Sequence, residues 1–211
     1  MQKKYDTTVL GLYVLDILGR PVSKIPEGGN LAYIEELRLT VAGTAGGTVV
    51  DCAKLGVSTL GVGAVGDDEK ADFVISTLEK FGVDTSGFER LKGIPTSSTI
   101  LNIRPNGERP ALHLRGACDH FLPPKKEKVD IFDCKVFHLG GTGLLKLLDG
   151  QVSVDLLKEA KDRGCITTWD LIGATEETID IVKPLLPHID YFMPSIEEAS
   201  IMCGLSHPED V

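Results

Sequence analysis

A 28-residue stretch, VAGTAGGTVVDCAKLGVSTLGVGAVGDD from Val41 to Asp68, constrains the fold of this chain more than any other. It opens in glycines, continues through an apolar run that stops at Gly56, and rises through β-branched residues to Gly66-Asp67-Asp68. The periodicity predicts a helix over 43–55, closed by Gly56, and a strand over 57–65. A second helix is expected over 67–81, with acidic residues in the first turn, where the helix dipole favours them. Glycines at a helix start let backbone approach a ligand closely and leave free N–H groups pointing at it. A helix and strand joined this tightly belong to an α/β scaffold carrying a small-molecule site.

The same alternation runs through the rest of the chain. Thr7–Val14 reads as a first strand ending near Asp16, and Glu36–Val41 as a strand with one wet face. Thr96–Arg104 and Pro110–Arg115 flank Asn106-Gly107, a strong hairpin signal. Strands are expected at Val136–Leu139, Cys165–Trp169 and Tyr191–Met193. Helices are expected at Val152–Arg163, Glu176–Leu186 and Ser195–Met202. This predicts a mainly parallel sheet covered on both faces. Two β-rich pieces, about 14–41 and 95–115, interrupt it and are expected to form a small sheet standing over the ligand cleft as a lid that excludes water.

Composition narrows the partners. With 22 Lys and Arg against 31 Asp and Glu, the net charge is −9. An acidic surface disfavours nucleic acid and anionic membranes, which call for a basic footprint, but leaves room for one anionic small ligand. The five cysteines are scattered without a C-x-x-C pair, which argues against a zinc site or a disulfide scaffold. The apolar run near the start is too short and interrupted for a signal peptide or a membrane span. A cytoplasmic location is the expectation.

Candidate site residues follow from placement. Asp16 beyond the first strand could accept two sugar hydroxyls, or could cap the turn at Leu18-Gly19. Gly43-x-x-Gly46-Gly47 matches neither phosphate-loop pattern. Gly61-x-Gly63-x-x-Gly66 spells G-x-G-x-x-G, but its glycines fall within a strand, so a dinucleotide site is not expected. No nucleophile elbow or metal-binding His pair is present. Trp169-Asp170 could touch a ligand at a strand end, or be a core aromatic followed by a turn.

In order, these pieces resemble the ribokinase, or PfkB-type, family of carbohydrate kinases. The resemblance rests on Gly11-x-x-x-x-Asp16, Gly43 with Gly47 and Ala53-x-Leu55-Gly56, and Gly61-x-Gly63-x-x-Gly66-Asp67-Asp68. It continues through Phe81-Gly82-Val83-Asp84-Thr85, Pro95–Thr99, Arg115-Gly116-Ala117 and Pro194-Ser195-x-x-Glu198-Ala199, spanning 1–211. It implies a ribokinase-like α/β fold with a β-lid, and ATP-dependent phosphorylation of a sugar or sugar-acid hydroxyl, in the manner of a fructokinase or a 2-keto-3-deoxygluconate kinase. It further implies substrate contacts by Asp16, Gly43, Gly47, Thr99, His113 and Arg115, with Arg115 suited to a carboxylate or phosphate. ATP would lie near Ser195 and Glu198, with Glu198 organising Mg2+ through water; an ordinary first-turn helix Glu is the other reading. The chain departs from the family pattern at Gly47, Cys118 and Ser195, where the family usually has Asn. The catalytic base, in a Gly-Ala-Gly-Asp segment, is expected beyond Val211, so the C-terminal part of the fold is expected to be missing and this chain to be inactive alone. The other readings are a non-catalytic sugar-binding or dimerisation module and a nucleoside kinase of the same superfamily. An exposed edge of the small sheet makes a homodimer a further expectation.

Overall fold

The computed structural model describes residues 3–205 and 207–210; Val211 lies outside them. Two sheets make the frame. The larger contains β1 (Tyr5–Gly11), β4 (Thr59–Gly66), β5 (Asp84–Leu91), β8 (Cys134–Thr142), β9 (Ile166–Leu171) and β10 (Tyr191–Phe192). They lie in the order β10-β9-β8-β1-β4-β5, every pair parallel. The smaller contains β2 (Val14–Arg20), β3 (Glu36–Ala42), β6 (Ser98–Asn102) and β7 (Ala111–Leu114), ordered β3-β2-β6-β7. It is mixed, because β2 runs parallel to β6 while the outer pairs are antiparallel. Among the described residues four α-helices connect strands, α1 (Thr44–Lys54), α2 (Glu69–Lys80), α3 (Gln151–Asp162) and α4 (Glu176–Val182), and α5 (Ile196–Cys203) follows β10.

The chain leaves β1 in both directions. The following strands of the large sheet, β4 and β5, are laid down on one side, while β8, β9 and β10 fill the other. Such a reversal opens a crevice at the carboxyl ends of the strands concerned, here β1 and β8. Gly11 and Gly140 are register partners at that point. A Cβ on Gly11, whose φ is 144°, would lie 1.8 Å from the Gly140 carbonyl oxygen, so the two backbones meet as only glycine permits.

The glycines of the G-x-G-x-x-G pattern serve packing. Gly63 lies under the ring of Tyr13, where an added Cβ would sit 2.4 Å from Cδ2, and Gly61 under Phe88 at 2.9 Å from a ring carbon. Tyr13 is fully buried, donates its hydroxyl to the Val9 carbonyl at 2.8 Å, and meets Phe88 edge-on with centroids 4.6 Å apart. Gly66 lets β4 approach the Ile94–Thr96 backbone. Asp68 caps α2 through the Ala71 N–H and also accepts from the Thr96 hydroxyl and N–H. Burial alone would raise its pKa, but these three donors outweigh that and hold it below the ordinary value.

Three departures from expectation bear on the frame and the site. The first strand ends at Gly11, and Asp16 therefore lies inside β2 of the small sheet rather than beyond β1. β5 carries no clear hydrophobic alternation, because it is the edge of the large sheet, and the sequence pattern misses it. α4 stops at Val182: its C-cap Lys183 keeps helical φ and ψ (−49°, −45°), but Pro184 has no N–H with which to continue the ladder.

Candidate functional site

The register of the small sheet gathers the side chains that sequence alone had left dispersed. Asp16 pairs with Thr40 on one side and Thr99 on the other, and Thr99 pairs with His113. Register partners point to the same face, so Thr40, Asp16, Thr99 and His113 form one polar row across four strands. The adjacent row, Leu39, Ile17, Ile100 and Leu112, occupies the opposite face. The sheet is thus amphipathic, with a hydrogen-bonding side and an apolar side.

Within the polar row the Thr99 hydroxyl and His113 Nδ1 are 3.0 Å apart. Burial raises the pKa of Asp16, against the opposing pull of the Thr99 hydroxyl and the His113 ring. Burial also lowers that of His113, with Arg115 adding to the effect while Asp16 and Asp119 oppose it. A carboxylate held at such a desolvation cost is a candidate hydroxyl acceptor.

Arg115 follows directly after β7, and its Nε donates to Asp119 one helical turn later, at 3.0 Å from Oδ1. Beyond this pair, Arg115, Asp119, Gly143, Lys146, Asp149, Gly150 and Ile181 line an open cleft of about 540 Å³. Asp149 accepts from the Gly143 and Leu145 N–H groups through Oδ2, and its pKa is raised by burial. Sequence reasoning had not singled out Thr40, Asp119, Lys146 or Asp149. The alternation Glu36-Arg38-Thr40 was the one available signal for Thr40.

The α1 glycines divide into two kinds. Gly43, at the N-cap with φ 83°, brings the helix start against Leu12, where a Cβ would lie 2.3 Å from the carbonyl oxygen. Gly47 sits inside the helix with nothing within 4 Å of the Cβ position. Cys118 is buried, with its Sγ against the Tyr13 carbonyl, so it is directed into the core. Trp169 is fully buried and stacked on Phe192, whereas Asp170 emerges at the carboxyl end of β9.

Ser195 and Glu198 lie apart from this row, at the start of α5, where they close a reciprocal capping box. The second Glu198 oxygen accepts from the Gly173 N–H at 2.9 Å. Both carboxylate oxygens are therefore engaged by backbone. Among the described residues no three His, Cys, Asp or Glu side chains gather as a metal-ligand set.

A glycine-lined crevice at a strand-order reversal, together with a small amphipathic sheet bearing a partly buried carboxylate, belongs to a ribokinase-like α/β fold. The chain belongs to the pfkB family of carbohydrate kinases, whose model matches residues 8–211. It is 25% identical over 191 residues to Fructokinase-2 of Solanum lycopersicum, covering 87% of this chain and 58% of that protein. It is 25% identical over 198 residues to Probable fructokinase-5 of Arabidopsis thaliana, covering 89% and 61%. The chain thus spans about three fifths of the length of these curated relatives, from 58% to 61%. Among solved structures, Arabidopsis thaliana ribokinase complexed with ribose and ATP matches with a TM-score of 0.78 at 20% identity, covering 95% of this chain and 63% of that one. The nucleoside kinase of Methanocaldococcus jannaschii matches with a TM-score of 0.73 at 19% identity, covering 100% and 68%. At these identities the structural likeness establishes the fold. No described helix is long and apolar enough to cross a membrane.

Proposed function

We propose that this chain is the sugar-holding part of an ATP-dependent kinase that phosphorylates a hydroxyl of a sugar or sugar acid, fructose-like or 2-keto-3-deoxygluconate-like. The observation that carries the reading is the polar row Thr40–Asp16–Thr99–His113. Its partly buried carboxylate accepts hydroxyl donors, and its threonine and histidine supply further partners for a polyol. The fructokinase relatives and the ribokinase complexed with ribose and ATP support the substrate class and the phosphate donor.

In this reading Asp16, Thr99 and His113 bind and orient the sugar, and Gly47 leaves room for it against α1. Arg115 offers its remaining guanidinium donors to an anionic substituent. The 14–41 and 95–115 segments act as the lid of a kinase domain running through 1–211, and closing it would exclude water from phosphoryl transfer. ATP would lie toward Ser195 and Glu198, and Mg2+ would arrive with the phosphates and meet Glu198 through water at most. Bound Mg2+ would neutralise phosphate charge. The base for the attacking hydroxyl is proposed to come from outside these 211 residues, and a cytoplasmic setting is proposed with it.

The apolar face of the small sheet, with Leu39, Ile100 and Leu112 all substantially exposed, is proposed to pair two copies of the chain. This shifts the proposed contact from the sheet edge to its face.

A coupled ADP-release assay over fructose, ribose and 2-keto-3-deoxygluconate tests the reading on the full-length protein and on this chain. Sugar-dependent turnover is expected from the full-length protein, and sugar binding without turnover from the chain alone. Turnover by the chain alone would place the base within it. Loss of turnover in full-length Asp16→Asn is expected; retention would remove Asp16 from the site.

A further inference from the structure

Near the carboxyl end of β9, bonded to the end of β8, lies a second carboxylate with a buried histidine beside it. Asp170 is the fifth residue of β9, and its Oδ1 accepts from the Gly141 N–H at 2.8 Å. His138 pairs in register with Thr168, two residues before Asp170, so all three side chains share one face of the large sheet. The imidazole is almost wholly buried, with 3% of its side chain exposed, and its Nδ1 lies 2.9 Å from the Thr168 hydroxyl oxygen. Its Nε2 has no hydrogen-bond partner and stands 3.5 Å from Asp170 Oδ2. Leaving a buried polar atom unpaired is costly, and such atoms call for an explanation.

The Thr44 hydroxyl at the start of α1 is also buried without a partner. Both groups press on Gly140. A Cβ there would lie 3.0 Å from His138 Nε2, 3.1 Å from Thr44 Oγ1 and 2.9 Å from the Ala45 nitrogen. The imidazole, the threonine hydroxyl and the first turn of α1 therefore crowd one point beside the peptide that holds Asp170. A helix N-terminus alone would favour an anion. A carboxylate beside it opposes one and favours a neutral group that both donates and accepts, which is an alcohol hydroxyl.

We propose that Asp170 is a second hydroxyl-accepting carboxylate of the cleft and that His138 is the positioning residue that aims it. A substrate hydroxyl donates to Asp170 Oδ2 and accepts from Thr44 or the first turn of α1. The Nε2–H of His138 faces Asp170, and the 3.5 Å separation closes when substrate enters, as site hydrogen bonds commonly tighten on binding. This inference rests on the sugar-binding reading above.

Two readouts on the purified protein test it. In the free protein, long-range proton–nitrogen NMR is expected to show His138 protonated on Nε2, with that resonance moved by Asp170→Asn. An Nδ1–H tautomer, or an Nε2 resonance indifferent to Asp170→Asn, overturns the positioning role whatever the ligand. In calorimetric titration with D-fructose, D-ribose and 2-keto-3-deoxygluconate, Asp170→Asn is expected to weaken the bound sugar roughly ten- to a hundredfold, the loss of one hydrogen bond to a charged group. His138→Leu should weaken it less, and His138→Gln, which keeps an amide donor near Nε2, should recover most of the loss. If Asp16→Asn abolishes binding while Asp170→Asn and His138→Leu bind normally, the inference fails and the sugar reading stands. If the wild-type protein binds none of the three sugars, the sugar reading fails and takes this inference with it.

Discussion

Gly47 offers a perturbation in which stability and binding should move in opposite directions. It lies in the second half of the first turn and a half of α1, its N–H bonded to the Gly43 carbonyl at 2.8 Å, with no positive φ and nothing within 4 Å of the Cβ position. An interior helical glycine costs roughly 0.5–1 kcal/mol relative to alanine, and no packing constraint here requires it. Gly47→Ala is therefore expected to stabilise the chain by about that amount. At this chain length that raises Tm by about 1–4 °C. Gly63→Ala is the control. Its Cβ would lie 2.4 Å from the Tyr13 ring, which is buried and held by its hydrogen bond to Val9 and its contact with Phe88. Overpacking of this kind costs roughly 1–3 kcal/mol, or about 2–12 °C in Tm. Calorimetric unfolding of both variants, followed by fructose titration of Gly47→Ala, measures the two effects. The expected result for Gly47→Ala is a higher Tm with weaker sugar binding, a stability–function trade-off at a ligand surface. A lower Tm would refute the argument that the helix does not need this glycine. Unchanged sugar binding would refute its place against the ligand.

Further outcomes follow from the same geometry. Because burial raises the folded-state pKa of Asp16, ionising it opposes folding, so stability falls as pH rises from the ordinary aspartate value of 3.8 through the folded value. Asp16→Asn should accordingly raise Tm at pH 7, with the gain shrinking toward acid, in thermal scans across pH. Asp68 has the opposite sign: its lowered pKa contributes stability present above 3.8 and lost as pH falls through the folded value. Asp68→Ala, which strips the α2 cap and the Thr96 contacts, should cost about 2–3 kcal/mol in denaturant unfolding at pH 7. Paired Ile100→Asp and Leu112→Asp changes on the exposed apolar face should leave the fold intact and yield monomers in light scattering; an unchanged mass for a dimeric parent would move the contact elsewhere.

The α/β class, the two interrupting β pieces and most elements of the large sheet were legible locally, because burial on one or both faces stamps a period on the chain. The α1 segment read correctly because Gly43 and Gly56 bound an apolar run whose φ requirements are local. The helix starting near Ser195 was legible too, whereas the capping box that Ser195 closes with Glu198 was not singled out. β5 was not legible, since an edge strand with one neighbour need not carry the pattern. The place of Asp16 was not legible either, because the switch from β1 to β2 turns on Gly11 meeting Gly140, 129 residues away. The same holds for the union of Thr40, Asp16, Thr99 and His113, which exists only through the pairing of four strands. His138 and Asp170 likewise meet because β8 and β9 are neighbours in register. By itself the sequence determined most of the helices and strands and which small residues bend the chain. The tertiary structure decided which side chains share a face, since register and strand order are set by long-range contacts that no local period encodes.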